Sequence, residues 1–372
     1  MTAHAVGEVC GEVYEAIGAQ PDLAILFVTT GHAGALEDAG AVVRSVLSPA
    51  SLIGCASASV LGNGEELEGT DGIVLWAGHT GPAAVAHLQA HPGGADNFVL
   101  TGWPDQAGFA PRAGLLLVDA FSFPAEAVLS SLASDLPSMP LIGGMASSAR
   151  GAGGNRLLID DRVVSAGAAL VLLGDGVEVD AIVSQASRPV GHPFTVTAAE
   201  GTTLHELGGM PAVRRIAELA ERHLTPDEIA IVNGGGLHLG RATDLGKPDI
   251  GPGEFVIHGL LGGNQAEGWV VVDAPVEVGE TVQFHLRDAE GADQDLRAAL
   301  RGHTAETAIV ATCTGRGHAF FAEANHDAAV IADALDDPPV AGFFAAGEIG
   351  PIGGMNRVQG HSTSMLLLRG LR

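Results

Sequence analysis

Lysine is all but missing from this chain: Lys247 is the only one, and every other basic side chain is an arginine. Lys and Arg together number 18 against 44 Asp and Glu, which leaves a formal charge of −26. A surface of that sign repels phosphate backbones and argues against non-specific nucleic-acid binding. Aromatic residues are few, with one Tyr, three Trp and twelve Phe, so the core has to be assembled from Ala, Val, Leu and Ile. The three cysteines, Cys10, Cys55 and Cys313, are far apart, odd in number and form no CxxC. Free thiols in a reducing cytoplasm are therefore expected. No apolar run is long enough for a transmembrane helix, and the N-terminus MTAHAVGEVCGEVYEAIG has no basic start followed by an apolar stretch, so neither membrane insertion nor a secretory signal is expected.

Catalytic and cofactor signatures are missing too. There is no GxSxG elbow, Walker loop, kinase set, HExxH, HxH or paired Cys/His spacing. Asn233-Gly234-Gly235-Gly236 fits a phosphate-binding GxGxxG badly. No metal and no cofactor is expected; a single histidine can ligate haem, but there is no CxxCH and none of the 15 histidines stands out.

What is present is a large apolar fraction and a repeat. With 372 residues, 47% of them apolar, the chain can bury a sizeable core. Leu23–Thr30 reads as a buried strand, residues 33–47 as a helix, LIGCASAS (residues 52–59) as a short strand running into small residues, and residues 72–77 as a further strand. The order returns as residues 115–119, a helix over 124–135, LIGGMASS (141–148), then strands over 157–160 and 167–173. A weaker third copy has Ala308–Cys313, a mostly helical stretch over 320–335, VAGFFAAGE (340–348) in place of LIGCASAS, and a closing strand over 364–368. Residues 228–288 read as β-structure through IAIVN, FVIHGLL, GWVVVDA and VQFHLRD, with a turn at Val278-Gly279-Glu280. The alternation predicts an α/β fold, or a layered α+β one: repeated strand-helix-strand-strand units forming mixed sheets covered by helices, in two similar halves. The halves are placed at residues 1–190 and 204–372, joined through 187–203, where His192–Val196 can pair as a strand.

The most informative segment is VAGFFAAGEIG (340–350), followed by His361-Ser362-Thr363. Ala345-Ala346-Gly347 carries almost no side chain, and Glu348 then sets a carboxylate at the mouth of an apolar strand. Ligand sites are often built that way, although a glycine turn with a capping glutamate reads the same in sequence.

These segments resemble the FIST domain family, named for F-box and intracellular signal transduction proteins. ILFVTT, LIGCASAS, PLIGGMASS and GAALVLL are similar to its N-terminal domain over residues 1–190. GFFAAGEIGPIGG, HSTSMLLL, ATCTGRGHAFF and VEVGETVQFHLRD are similar to its C-terminal domain over 204–372. The resemblance implies a sensory module that binds small ligands, amino acids among them. Relatives occur beside histidine kinase, chemotaxis and cyclic-dinucleotide output domains, some are described as haem-binding nitric-oxide sensors, and a eukaryotic form sits beside an F-box. No stretch here resembles a kinase, receiver or methyl-accepting segment. The expectation is a cytoplasmic, non-enzymatic domain that signals through a separate partner such as a histidine kinase or other output protein. The family pattern of His-Asn followed by Thr is His361, Ser362, Thr363 here, so a hydroxyl stands where relatives carry an amide.

Six residues are expected at the ligand. Glu348 would meet an ammonium group, and Arg316, flanked by glycines after a strand, would grip a carboxylate bidentately, together matching a zwitterion. His361 and Thr363 fall on one face if the segment is extended. Ser57 and Ser147 would donate from the repeat turns, as would Ser59 and Ser148, unless they satisfy local backbone. Cys55 and Cys313 read as small buried apolar residues. Three other readings stay open: an enzyme acting on a small polar metabolite with Glu348 as acid or base, a haem-based nitric-oxide sensor, and a protein-interaction scaffold.

Overall fold

A computed structural model describes residues 2–94, 97–104, 107–135, 139–243, 250 and 253–371. The fold is mixed α/β, and the chain divides into two compact units, residues 1–183 with 299–372, and residues 184–298.

The first compact unit contains all three copies of the repeat. Each opens with a parallel pair of strands bridged by a helix: Leu23–Thr29 with Ser51–Ser57, Ala113–Val118 with Leu141–Met145, and Thr307–Cys313 with Val340–Ala345. The bridging helices are Leu36–Leu47, Ala125–Asp135 and His326–Leu335. A closing strand, Ile73–Gly78, Ala168–Leu173 or Thr363–Arg369, returns antiparallel to the opening strand of its own copy. The third helical stretch is shorter than the sequence suggests: a single turn at His318–Phe321 precedes the helix that starts at His326, with left-handed backbone at Ala322 and Asn325 between them.

The short strands after each second strand do not stay with their own copy. Val60–Gly62, from the first copy, pairs with the second strand of the third. Leu157–Ile159, from the second, pairs with that of the first. Glu348–Ile352, from the third, pairs with that of the second. This cyclic exchange is why the third copy packs with the first two. It also places Glu348 between sheets rather than at a free strand mouth.

The glycine shared by the three small-residue strands has a common cause. A Cβ at Gly54, Gly143 or Gly342 would overlap the carbonyl oxygen of Leu26, Leu116 or Val310 on the opening strand beside it. Close backbone approach demands glycine at that step. One core gathers side chains from all three copies, among them Phe27, Ile53, Leu115, Ile142, Val171, Ile309 and Phe343. Phe27 and Phe343 meet with ring centroids 4.9 Å apart, and burying each such side chain contributes roughly 1.5–3 kcal/mol.

The second compact unit is an antiparallel barrel. Six strands close in the order Arg188–Glu200, Thr281–Leu286, Leu237–Ala242, Phe255–Asn264, Trp269–Val272 and Thr203–Leu207, with the last pairing back to the first. The stretch read as a join is therefore a paired, bulged strand. FVIHGLL, WVVV and VQFHL form strands as expected, and Gly279 turns at a φ of 98° between two of them. IAIVN does not: it lies in the helix Pro226–Asn233. Thr225 and Glu228 form a reciprocal capping box there, and Pro226 sits in the first turn. Those start signals outweigh the β-branched content of the run.

Candidate functional site

The carboxyl ends of the three parallel pairs meet in the first compact unit, stitched by backbone and hydroxyl groups. Ala58 N donates to Ser147 Oγ at 2.9 Å, and Ser147 Oγ donates to the Phe344 carbonyl. Phe344 N donates to Ser59 O at 3.0 Å, and Met145 N to Gly347 O at 2.8 Å. Ser57, fully buried, donates to Ser59 O at 2.6 Å. The structure thus brings Ser57, Ser147 and the GFFAAGE turn together, with Ser57 hydrogen-bonded to local backbone and Ser147 to backbone of the other two copies. A polar cavity lined by Thr29, Thr30, Gly31, Ala58, Gly69, Thr70 and Asp71 opens beside them at the ends of the first pair.

Glu348 has no exposed surface. Its Oε2 accepts from Ser362 N and Ser362 Oγ, both at 2.9 Å, while Oε1 meets no nitrogen or hydroxyl donor among the described residues. Burial pushes the carboxyl up to about 8; the Ser362 bonds, the Cys313 thiol and the Arg316 charge act the other way without offsetting it. Glu348 is thus mostly a neutral acid at pH 7, where the sequence suggested an anion.

Arg316 is 1% exposed and forms a fork with Asp327: Nε to Oδ2 at 2.7 Å and Nη2 to Oδ1 at 2.8 Å. The carboxylate partner expected of a ligand is thus supplied by the chain. Thr312 Oγ1 donates to Asp327 Oδ2 at 2.6 Å, Thr363 Oγ1 at 3.1 Å, and His326 Nδ1 lies 3.0 Å from Oδ1. Burial opposes the Asp327 charge, but Arg316 and these hydrogen bonds hold the carboxyl well below the usual range. Phe321 lies beneath the guanidinium at 5.2 Å and stacks on His326. On the far side, Glu66 accepts from Ala328 N at 3.0 Å, and burial pushes its carboxyl up to about 7, with the Asp327 and Glu68 charges adding to the rise.

His361 and Thr363 do not share a face. His361 has a φ of 63° and precedes the strand Thr363–Arg369, so strand alternation does not reach it. Thr363 turns inward to Asp327 and to Thr312, while His361 is half-buried with Nδ1 4.0 Å from Cys313 Sγ. Ser362, between them, is the one that holds Glu348. Above this layer Ala58, Thr314, Gly315, Ala346 and Gly360 are exposed, a rim of small residues beside His361.

The FIST N domain matches residues 22–210, and the FIST C domain matches residues 212–351. This chain belongs to the FIST family. FIST domains are sensory domains of signal transduction. An uncharacterized protein of Mycobacterium tuberculosis is 38% identical over 359 residues, 95% of this chain and 92% of that protein. One of Mycobacterium bovis is 38% identical over 360 residues with the same coverage. The boundary between the two FIST matches falls inside the barrel, and the FIST C match spans the rest of the barrel and the third copy through Pro351.

Asp327 and Thr312 join this cluster although sequence reasoning passed over them, while Ser362, read only as a hydroxyl in place of an amide, and Cys313, read as a small buried apolar residue, both touch Glu348. Asp327 reads as an ordinary first-turn acid of the helix His326–Leu335. Only its position before Arg316, with Thr312 and Thr363 on neighbouring strands, makes it the anion of the cluster. Among the described residues no group of three or more His, Cys, Asp or Glu gathers to hold a metal ion, and no helix is long and apolar enough to cross a membrane.

Proposed function

We propose that this chain is a cytoplasmic sensory domain that binds a small polar ligand over the GFFAAGE turn and passes the signal to a partner protein, such as a histidine kinase or another output protein. The observation that carries this reading is a buried, charged hydrogen-bond network set directly beneath exposed small residues. Thr314 N donates to Ala345 O at 2.9 Å and Cys313 N to Ser362 O at 3.0 Å, so the turns bearing Arg316 and His361 are tied to the strands that lead to Glu348 and Thr363. Three free thiols support a reducing compartment.

A neutral buried acid suits an amino-acid ammonium in a particular way. The arriving cation favours the carboxylate, so binding below pH 8 releases a proton from Glu348. Affinity for such a ligand then rises with pH, up to about tenfold per unit, until the acid is already ionised. Arg316 keeps its place through Asp327 and acts on a ligand carboxylate only if that fork opens.

The test is a thermal-shift and calorimetric screen against amino acids and related metabolites, in buffers of different ionisation enthalpy. A ligand at about a hundred times its Kd adds roughly 2.7 kcal/mol to stability. A saturable shift with proton release, lost in Glu348→Ala, supports the reading. No shift over a broad panel sinks it in favour of a scaffold. A carboxyl titrating near 8 is also poised for acid–base work, so the bound ligand is checked for turnover.

A further inference from the structure

Three cysteines of one chain sit in unlike surroundings. Cys10 and Cys55 have no exposed surface and pack among apolar side chains. Burial pushes the Cys10 thiol up to about 11 and the Cys55 thiol higher still. Cys313 is different. It ends the strand Thr307–Cys313, keeps 7% of its surface open, and lies beside exposed Thr314 and Gly315. Its sulfur accepts Gly315 N–H at 3.4 Å and has His361 Nδ1 at 4.0 Å. The Glu348 carboxyl, wholly buried and with Oε1 lacking a nitrogen or hydroxyl donor, is in contact with the same thiol. His361 and the Glu348 carboxyl lie against the sulfur, the Arg316 charge acts on Glu348, and Asp327 holds the arginine.

We propose that Cys313 is a reactive thiol, activated by His361 and oxidised by small hydroperoxides to a sulfenic acid. His361 Nδ1 takes the thiol proton. The resulting thiolate is held by Gly315 N–H, the imidazolium and a protonated Glu348, which donates rather than repels. The sulfur lone pair attacks one peroxide oxygen, an S–O bond forms and the O–O bond breaks. The departing hydroxide, or alkoxide from an alkyl hydroperoxide, takes the proton from His361 and leaves as water or the alcohol. The sulfur gives up two electrons and the hydroperoxide is reduced by two. With 7% of Cys313 exposed, a small reagent is favoured over a bulky one. The added oxygen lies against Glu348 and the Ser362 backbone, which couples oxidation to the network beneath the rim. This inference is independent of the ligand reading: a protein that binds no amino acid can still show it.

The experiment treats the reduced full-length protein with hydrogen peroxide, traps sulfenic acid with dimedone, and follows all three cysteines by peptide mass spectrometry. Cys313 is expected to react at least about a hundredfold faster than Cys10 and Cys55, the low end of what a positioned base contributes. Unfolding in urea should make the three alike. His361→Asn, chosen because asparagine tolerates the left-handed backbone at that position, should slow Cys313 by a similar factor and flatten the pH dependence of its rate. Equal rates at all three cysteines in the folded wild type would overturn the proposal without any variant. An unchanged Cys313 rate in a folded His361→Asn protein would overturn the role of the histidine and the dyad with it.

Discussion

Replacing Glu348 by glutamine keeps the shape of the side chain and removes its titration. In the folded protein the carboxyl holds its proton up to about pH 8 because burial disfavours the charge; in the unfolded chain an ordinary glutamate releases it near pH 4.3. Between those limits the folded state carries a proton that the unfolded state has lost. Stability from this group is therefore intact below about pH 4 and falls as pH rises to about 8. One pH unit is worth at most 1.36 kcal/mol, which sets an upper bound of roughly 4–5 kcal/mol over the window. Relaxation and water entry around a buried charge bring the expected loss to about 2–4 kcal/mol. Glu66, with its carboxyl pushed up to about 7, adds a slope of the same sign over a lower range. The difference between wild type and Glu348→Gln isolates the Glu348 contribution. Urea unfolding followed by fluorescence of Trp76, which is buried in the three-copy core, should show wild type weakening relative to the variant from about pH 5 to pH 8. Ser362→Ala removes the hydroxyl donor that supports the charged form and leaves the backbone N–H in place, so it should move the decline to higher pH. Parallel wild-type and Glu348→Gln curves would mean that Glu348 is ionised at pH 5 and in touch with water, and the account of the site would fail.

Asp327→Ala strands the Arg316 charge in the core and should cost about 3–5 kcal/mol, while the paired replacement Arg316→Met with Asp327→Leu should recover much of it; a denaturant midpoint unchanged in the single variant refutes the fork. Alanine at Gly54 or Gly342 must push a neighbouring strand carbonyl aside and should destabilise by about 1–3 kcal/mol. Gly11→Ala, in the helix Thr2–Ile17 with open space where the methyl would go, should stabilise by up to about 1 kcal/mol. Calorimetric midpoints of opposite sign for the two kinds of glycine check both claims. Thr225→Ala should cost the barrel unit about 1 kcal/mol through loss of the capping box, seen as a lowered midpoint reported by Trp269 fluorescence.

Much of the fold was legible in the sequence because it is local. LIGCASAS, LIGGMASS and VAGFFAAGE announce a repeated buried strand, and the following helices and closing strands announce themselves by period and length. IAIVN failed for an equally local reason, since the Thr225–Glu228 box and Pro226 in the first turn favour a helix over β-branched content. The GFFAAGE turn stood out in the sequence, but small residues before a carboxylate read equally as a ligand site or as a capped turn.

Partnership was not legible. Which strand receives Val60–Gly62, Leu157–Ile159 or Glu348–Ile352 depends on three copies closing on one another, a long-range pairing that no local pattern specifies. The sequence by itself determined the repeat, the acidic surface and the residue types at the turns. Only the tertiary structure decided that Arg316 is bound by Asp327, that Glu348 is buried deeply enough to stay protonated, and that Ser362 rather than its neighbours faces it. The physical reason is that charge state and hydrogen-bond partners follow from burial and proximity in space, and those are set by how the three copies exchange their strands.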